Sequence, residues 1–456
     1  SSISKWRDRS ADQPGGPHMI MAASLASGVP LMEGALVEGQ WPDWFVASRK
    51  SGWEDFQKLP LPLAKDEKWR FSNVKALALD AFRYPGAVSD AAVLVERSTG
   101  LGESAARFVF GNNRLLSASA PAADLVKAGL VVMTLEEAAT KHADLVQKHF
   151  MAQEAKLGSA KLAALHRSGP VAGVFIRVPK DLVVEKPIEI FHWVEGENSA
   201  VFPHTLVVCE RHSKATVVDC FRSTDDAPAF ACGVNDLVVE DGAKLDYVAV
   251  QQWSPTTTAF HLNSTTVGRD ATCLGMQVNL GGKFVRNENY SRMVAEGARS
   301  DMLSVNIASD EQMIDQRTFQ DHAKPNATSD LLYQNALTGK GRTVFSGVIR
   351  VEPGAHKTDA YQKVRNIVLS DDAEANSMPG LEIEADDVRC THGATTAQID
   401  DREIFYLEAR GIRPEAARQL LVMGFFNTVL DRLPDEKLRG HIEGLVEKRL
   451  AAALRS

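Results

Sequence analysis

The most chemically suggestive residues in the chain are Cys390 and His392, with only Thr391 between them. Side chains alternate along an extended backbone, so positions two apart face the same side. The preceding run, Leu381-Glu-Ile-Glu-Ala385, alternates apolar and acidic residues at the two-residue period of a strand. A soft sulfur and an imidazole side by side on one strand face are ligand types that suit a transition metal. They make a poor nucleophile and base for a cysteine hydrolase, because adjacent same-face residues leave no room for a substrate between them. Gly393 follows, and beyond Asp400 the pattern becomes helical, so the pair sits where a sheet region hands over to helices.

Other chemistry is thin. Cys209, Cys220, Cys232 and Cys273 lie in strand-like runs and read as core packing. None of the five cysteines forms a CxxC pair, so neither a zinc site nor a thioredoxin-type motif is present, and scattered cysteines fit a reducing compartment. Asp315, Asp321, His322 and Asp330 have the residue types of a metal cluster, but they read better as turn residues and hydrogen-bonded ladders in successive coils around Lys324-Pro325. The segment Gly339-Lys-Gly-Arg-Thr343 looks like a phosphate loop, yet it lacks the leading glycine and has Gly341 where Ser or Thr must follow the lysine.

The elements that would position Cys390 and His392 lie between Gly169 and about Thr395. Short runs rich in Val, Ile and Phe are broken by turn signals such as Asp241-Gly, Gly281-Gly, Gly339-Lys and Pro353-Gly, recurring at roughly 13 to 16 residues. No amphipathic helix of any length lies between them. A sandwich or barrel is the default for many short strands, whereas more than about 200 residues of even punctuation suits a stacked parallel β-helix. The spacing leaves both open.

Before this region, residues 19–168 read as mostly helical with Pro-rich breaks. Trp41, Trp44, Phe45 and Trp53 bury an aromatic face, and Leu59-Pro-Leu-Pro-Leu63 is an extended connector. Thr134 and Glu137 have capping-box spacing, opening a helix to about Gln147, and Met151–Ser168 is a further helix candidate. After Ile399, Asp400 caps a helix closed by Gly411. A second helix runs from Glu415 to about Leu433, with Leu420, Leu421, Phe425, Val429 and Leu433 on its apolar stripe. A third spans about Asp435 to Leu454 on Leu438, Ile442, Val446 and Leu450. Residues 1–18 look like a tag or linker, since Gly-Pro-His-Met at 16–19 resembles an expression-vector scar, with Met19 as the natural start. If native, they read instead as an organellar transit segment.

The 456 residues carry a net charge of −8, which argues against a general nucleic-acid binder, and 44% are hydrophobic. No apolar run approaches the roughly 20 residues needed to cross a bilayer.

Several motifs point to a known family. They are Asp359-Ala-Tyr-Gln362, Leu369-Ser-Asp-Asp-Ala373, Pro379-x-Leu-Glu-Ile383, Ala385-Asp-Asp-Val-x-Cys-x-His-Gly-Ala-Thr395 and Phe405-Tyr-Leu-x-x-Arg-Gly-Ile412. This run closely resembles the SufD branch of the SufB/SufD family of iron–sulfur cluster assembly proteins. The likeness extends through Asp321-His322, Thr328-Ser-Asp330, Leu332-Tyr333 and Gly354-Ala-x-Lys-Thr358. It continues more thinly to Val174-x-Ile-x-Val-Pro179 and Glu67-x-Trp-Arg-Phe71. The SufB branch has His-Glu-Ala-Thr where this chain has His392-Gly393-Ala394-Thr395, and a functional cysteine upstream where this chain has none between Cys273 and Cys390.

The resemblance implies a right-handed parallel β-helix (169–399) between an N-terminal helical domain (19–168) and a C-terminal one (400–456). It implies a non-catalytic scaffold subunit, cytoplasmic or plastid. The β-helix would pair with a SufB-like subunit, or with a second copy when alone. The C-terminal helices, with Phe405, Tyr406, Gly411, Phe425 and Phe426, would dock a SufC-like ABC ATPase. His392 would take part in cluster assembly as a transient iron or sulfur-path ligand, with Cys390 beside it. Clusters usually take four protein ligands, so two from this chain need a partner and no cofactor is held stably by this chain alone. Neither nucleic acid nor membrane is an expected partner. The alternatives are a SufB-like cluster-carrying subunit or a β-helix carbohydrate-active enzyme. The latter needs clustered carboxylates and a secretory signal, neither of which is visible.

Overall fold

The computed structural model describes residues 28–33 and 41–455. The suspected tag at 1–18 and the start at Met19 lie outside the described residues. The middle of the chain is a parallel β-solenoid of about eight turns, flanked by helices at both ends. Two ten-stranded sheets face each other, and successive strands alternate between them. In one sheet Lys244 pairs with Thr272, Thr272 with Arg299, Arg299 with Thr328, Thr328 with Asp359 and Asp359 with Arg389. One coil therefore takes 27 to 31 residues, and the turn signals mark half-coils.

Burial follows position along the stack. Early strands such as Ile188–Val194 and Pro203–Cys209 are buried at every residue, because helices or loops cover their outer face. The late strand Asp359–Val368 alternates, with Ala360, Gln362, Val364 and Asn366 inside and Asp359, Tyr361 and Lys363 outside. The interior is partly polar. Asn279 donates to Asn306 at 2.7 Å, Asn306 to Asn335 at 2.8 Å and Asn335 to Asn366 at 2.7 Å, and Asn366 reaches Thr396 Oγ1 at 3.2 Å. This ladder satisfies amides that would be costly to bury singly.

Residues 41–168 depart from the mostly helical expectation. Strands Ala106–Gly111, Arg114–Ser119 and Val131–Thr134 extend the two solenoid sheets at their first end. Thr134 does cap a helix, accepting from Glu137 N at 3.2 Å, but that helix is Leu135–Lys141 and breaks at His142 before Ala143–His149. Only Ala160–Ser168 of the expected Met151–Ser168 helix forms. Residues 151–158 are instead spread along the solenoid: Met151 N donates to Asp236 at 2.7 Å and the Leu157 carbonyl accepts from Arg286 at 2.9 Å. Those bonds take the backbone groups a helix would use. The connector at 59–63 is free of regular structure, as its prolines require.

The Glu67-x-Trp-Arg-Phe71 segment is anchored by charge inside the protein. Trp69 is buried, with the Arg286 guanidinium 3.9 Å from its ring centroid. Arg286 donates to Glu288 at 2.8 Å, to Asp315 at 2.6 Å and to the Lys68 carbonyl at 2.9 Å.

At the other end, helices Asp401–Glu408, Pro414–Leu430 and Glu436–Ala453 follow the expected order. Asp400 accepts from Arg402 N at 2.9 Å, and Gly411 adopts φ +83°, the left-handed region that favours glycine. The third helix buries Leu438, Ile442, Val446 and Leu450 as its spacing predicts. Of the second helix's expected stripe, Val429 and Leu433 are buried, Leu421 and Phe425 are half-buried and Leu420 is exposed, while Ala417, Val422, Phe426 and Leu430 complete the buried face. Consecutive apolar residues from Leu420 to Met423 surround so much of this helix that periodicity does not select a face. Arg449 pins the third helix to the solenoid through the Leu280 carbonyl at 2.7 Å and Ser309 Oγ at 2.6 Å.

Candidate functional site

Cys390 and His392 lie on Arg389–Ala397, the last strand of one sheet. Its register is set by Arg389 N donating to the Thr358 carbonyl at 2.8 Å, beneath a turn where Lys357 N donates to the Asp387 carbonyl at 2.7 Å. Cys390 is the register partner of Ala360, and His392 of Gln362. Both partners are buried on the inner face of the preceding coil, so Cys390 and His392 stand on the inner face of the final coil. Among the described residues, no further coil covers that face. What is core elsewhere is surface here.

The two residues differ in surroundings. Cys390 is half-buried, packing beside Ile349, Val351, Ala355 and Ala360. Burial raises its thiol pKa, and nearby Asp359 pushes the same way against a backbone hydrogen bond from Ala360. A thiol must lose its proton before it binds metal, which makes Cys390 the more reluctant ligand. His392 is exposed. Leu381 and Ile383, which share the inner face of the other terminal strand through their partners Ile349 and Val351, are also exposed. Tyr361 stands exposed on the outer side of the neighbouring strand. The terminal strands Glu374–Ile383 and Arg389–Ala397 each have a neighbour on one side only, leaving one edge of backbone groups free.

Among the described residues, no group of three or more His, Cys, Asp or Glu could hold a metal ion. The other four cysteines are fully buried; burial pushes Cys209 and Cys220 up to about 12 and Cys232 and Cys273 further in the same direction. Asp315, Asp321, His322 and Asp330 belong to strands rather than turns. Asp315 pairs with Arg286 and Arg317, Asp321 accepts from Tyr290, His322 bonds Ser329, and Asp330 pairs with Arg432.

The residues expected to dock an ATPase divide. Phe405 and Tyr406 are 70% and 56% exposed on the first C-terminal helix, which buries none of its side chains, and Leu420 is 55% exposed nearby in sequence. Gly411 supplies the turn between the first two helices. Phe425 is partly buried, with Arg365 at 5.2 Å over its ring. Phe426 is fully buried against the solenoid and cannot present a surface; it holds the second helix in place.

Residues 192–425 match the family described as SUF system FeS cluster assembly, SufBD core domain, and residues 33–190 match the SufBD protein N-terminal region. The chain belongs to the SufBD family. It is 27% identical over 419 residues to the iron–sulfur cluster assembly protein SufD of Bacillus subtilis, covering 90% of this chain and 95% of that protein. It is 32% identical over 275 residues to SufD of Escherichia coli, covering 59% and 65%. A SufBD family protein of Mycobacterium tuberculosis, Rv1462, is 31% identical over 298 residues, covering 64% and 74%. The chain is thus an iron–sulfur cluster assembly protein of the SUF system. Among its described residues, no helix is long and apolar enough to cross a membrane.

Sequence reasoning found the pair, its shared face and the motif around it. It missed the asparagine ladder, although Asn279, Asn306, Asn335 and Asn366 recur at the coil repeat. It also missed that Leu381 and Ile383 accompany the pair at an uncovered solenoid end.

Proposed function

We propose that the chain is a non-catalytic SufD-like scaffold subunit in the cytoplasm, which completes a cluster-assembly site by pairing its last coil with a SufB-like solenoid. One observation carries this reading: His392 and Cys390 stand on an uncovered inner face, flanked by two strand edges that lack a mate. A second parallel solenoid docked there would pair both edges, cover Leu381 and Ile383, and bring further ligands to iron or sulfur held transiently by His392. The substrate is thus handled between subunits. The exposed Phe405, Tyr406 and Leu420 support docking of a SufC-like ATPase on the first two C-terminal helices, which would supply the nucleotide chemistry. Co-expression with SufB-like and SufC-like subunits is expected to give one complex. His392→Ala is expected to leave assembly of that complex and its melting temperature unchanged while lowering the cluster recovered anaerobically. Undiminished cluster yield would sink the role given to His392, and loss of the complex itself would make it a structural residue instead.

A further inference from the structure

A buried hydrogen-bond chain runs towards His392 inside the last coils. Gln320 Nε2 donates to Ser329 Oγ at 2.7 Å and to the Tyr361 carbonyl at 3.1 Å. A carbonyl only accepts, so this end of Gln320 is its NH2 group and the other end is Oε1. Gln362 Nε2 donates to that oxygen at 3.3 Å. With Ser329 Oγ accepting from Gln320, its own proton points to His322 Nε2 at 2.8 Å, and burial keeps His322 neutral and able to accept. Every link donates in the same direction, from Gln362 to Gln320 to Ser329 to His322. Such a chain polarises its members and strengthens the acceptor left at its head.

That acceptor is Gln362 Oε1, on a fully buried side chain and without a partner. Gly347 provides the room for the amide, since a Cβ there would collide with Gln362 Nε2 and Thr318 Oγ1. The next residue along the stack from Gln362, in register and on the same face, is His392. Neighbouring strands lie about 4.8 Å apart, within reach of an imidazole turning about its own side-chain bonds.

We propose that Gln362 is a positioning residue for His392, its Oε1 accepting one ring N–H so that the tautomer is fixed and the other nitrogen's lone pair faces the open solenoid end. Its consequence for assembly rests on the reading of His392 given above; the hydrogen bond does not. Carbonyl acceptors behind ligating histidines commonly play this part.

The test uses the chain labelled with 15N-histidine, alone and in complex with its partners, the His392 signals being those lost in His392→Ala. The unsubstituted chain is expected to show a single His392 tautomer. Gln362→Met keeps the length and removes the acceptor together with the donor to Gln320 Oε1; it is expected to fold with a lowered melting temperature, to give a mixture of tautomers, and to lower cluster yield in the complex by about 10-fold. Should Gln362→Met fail to fold, Gln320→Met weakens the same chain one link further in and is expected to shift the tautomer balance the same way by a smaller amount. A tautomer mixture in the unsubstituted chain overturns the proposal, as does an unchanged tautomer in a folded Gln362→Met. A locked tautomer alongside a His392→Ala variant of full cluster yield would leave the positioning intact and refute the assembly role instead.

Discussion

Arg286→Met tests what fastens the N-terminal region to the solenoid. The guanidinium is fully buried, binds two carboxylates and two main-chain carbonyls, and lies on the Trp69 ring. Methionine replaces most of its stem but none of its donors. Glu288 keeps only the Ser159 hydroxyl at 2.6 Å, while Asp315 keeps Arg317 and the Ser72 hydroxyl, both ties shorter than 2.7 Å. Removing one partner of a buried ion pair costs about 3–5 kcal/mol, mostly because the other charge stays behind. Arg317 still serves Asp315, so we place the cost near the lower end, about 3 kcal/mol. The segments that lose their anchor are those around Lys68 and Leu157, so they should open before the solenoid does.

Urea unfolding read by Trp fluorescence and limited proteolysis across residues 59–72 and 151–158 would measure both effects. Adding Glu288→Gln removes the stranded charge and should restore part of the loss, a coupling read by the double-mutant cycle. A destabilisation below about 1 kcal/mol with unchanged proteolysis would refute the argument, since it lies outside the range for a broken buried pair. A double variant no more stable than Arg286→Met would show that the uncompensated charge is not the source of the cost.

Three further expectations follow from the same geometry. Burial lowers His261 and His322 from 6.5 to about 4, so each stays neutral when folded and takes a proton when unfolded. Their contribution is complete above pH 6.5 and is lost as pH falls towards 4, by about 3 kcal/mol per histidine; unfolding midpoints that stay flat between pH 7 and pH 4.5 would contradict it. A thiol reagent on the native chain should modify Cys390 alone of the five cysteines, and slowly at neutral pH because its pKa is raised, with the other four reacting only on unfolding; fast modification of several would place the buried cysteines wrongly. Phe405→Asp and Tyr406→Asp should weaken capture of a SufC-like ATPase by about 2 kcal/mol each, the size of an interface hot spot, with no change in melting temperature, and full capture would move the docking surface elsewhere.

How legible the protein is in its residue pattern varies along the solenoid for a physical reason. A strand covered on both faces has no alternation to show, so the early coils read only as apolar runs, and a sandwich fitted them as well as a stack. The signal that separates the two is polar, and the apolar pattern passes over it. Asn279, Asn306, Asn335 and Asn366 return once per coil because stacked amides satisfy one another only when each coil repeats the same position, and a sandwich has no reason to keep that spacing. The second C-terminal helix shows the opposite failure, with so much apolar surface that its buried face is chosen by the solenoid it meets rather than by its own spacing. For Cys390 and His392 the alternation correctly put both on one side of a strand, but it could not tell core from surface. That distinction depends on whether another coil follows. Inner-face residues are buried by the next turn of the stack, and at Arg389–Ala397 the stack stops, which turns an interior position into an accessible one without any change in local pattern. In the role proposed for His392, that accessibility is what the last turn supplies, and a second solenoid docked there would finish both the sheets and the site.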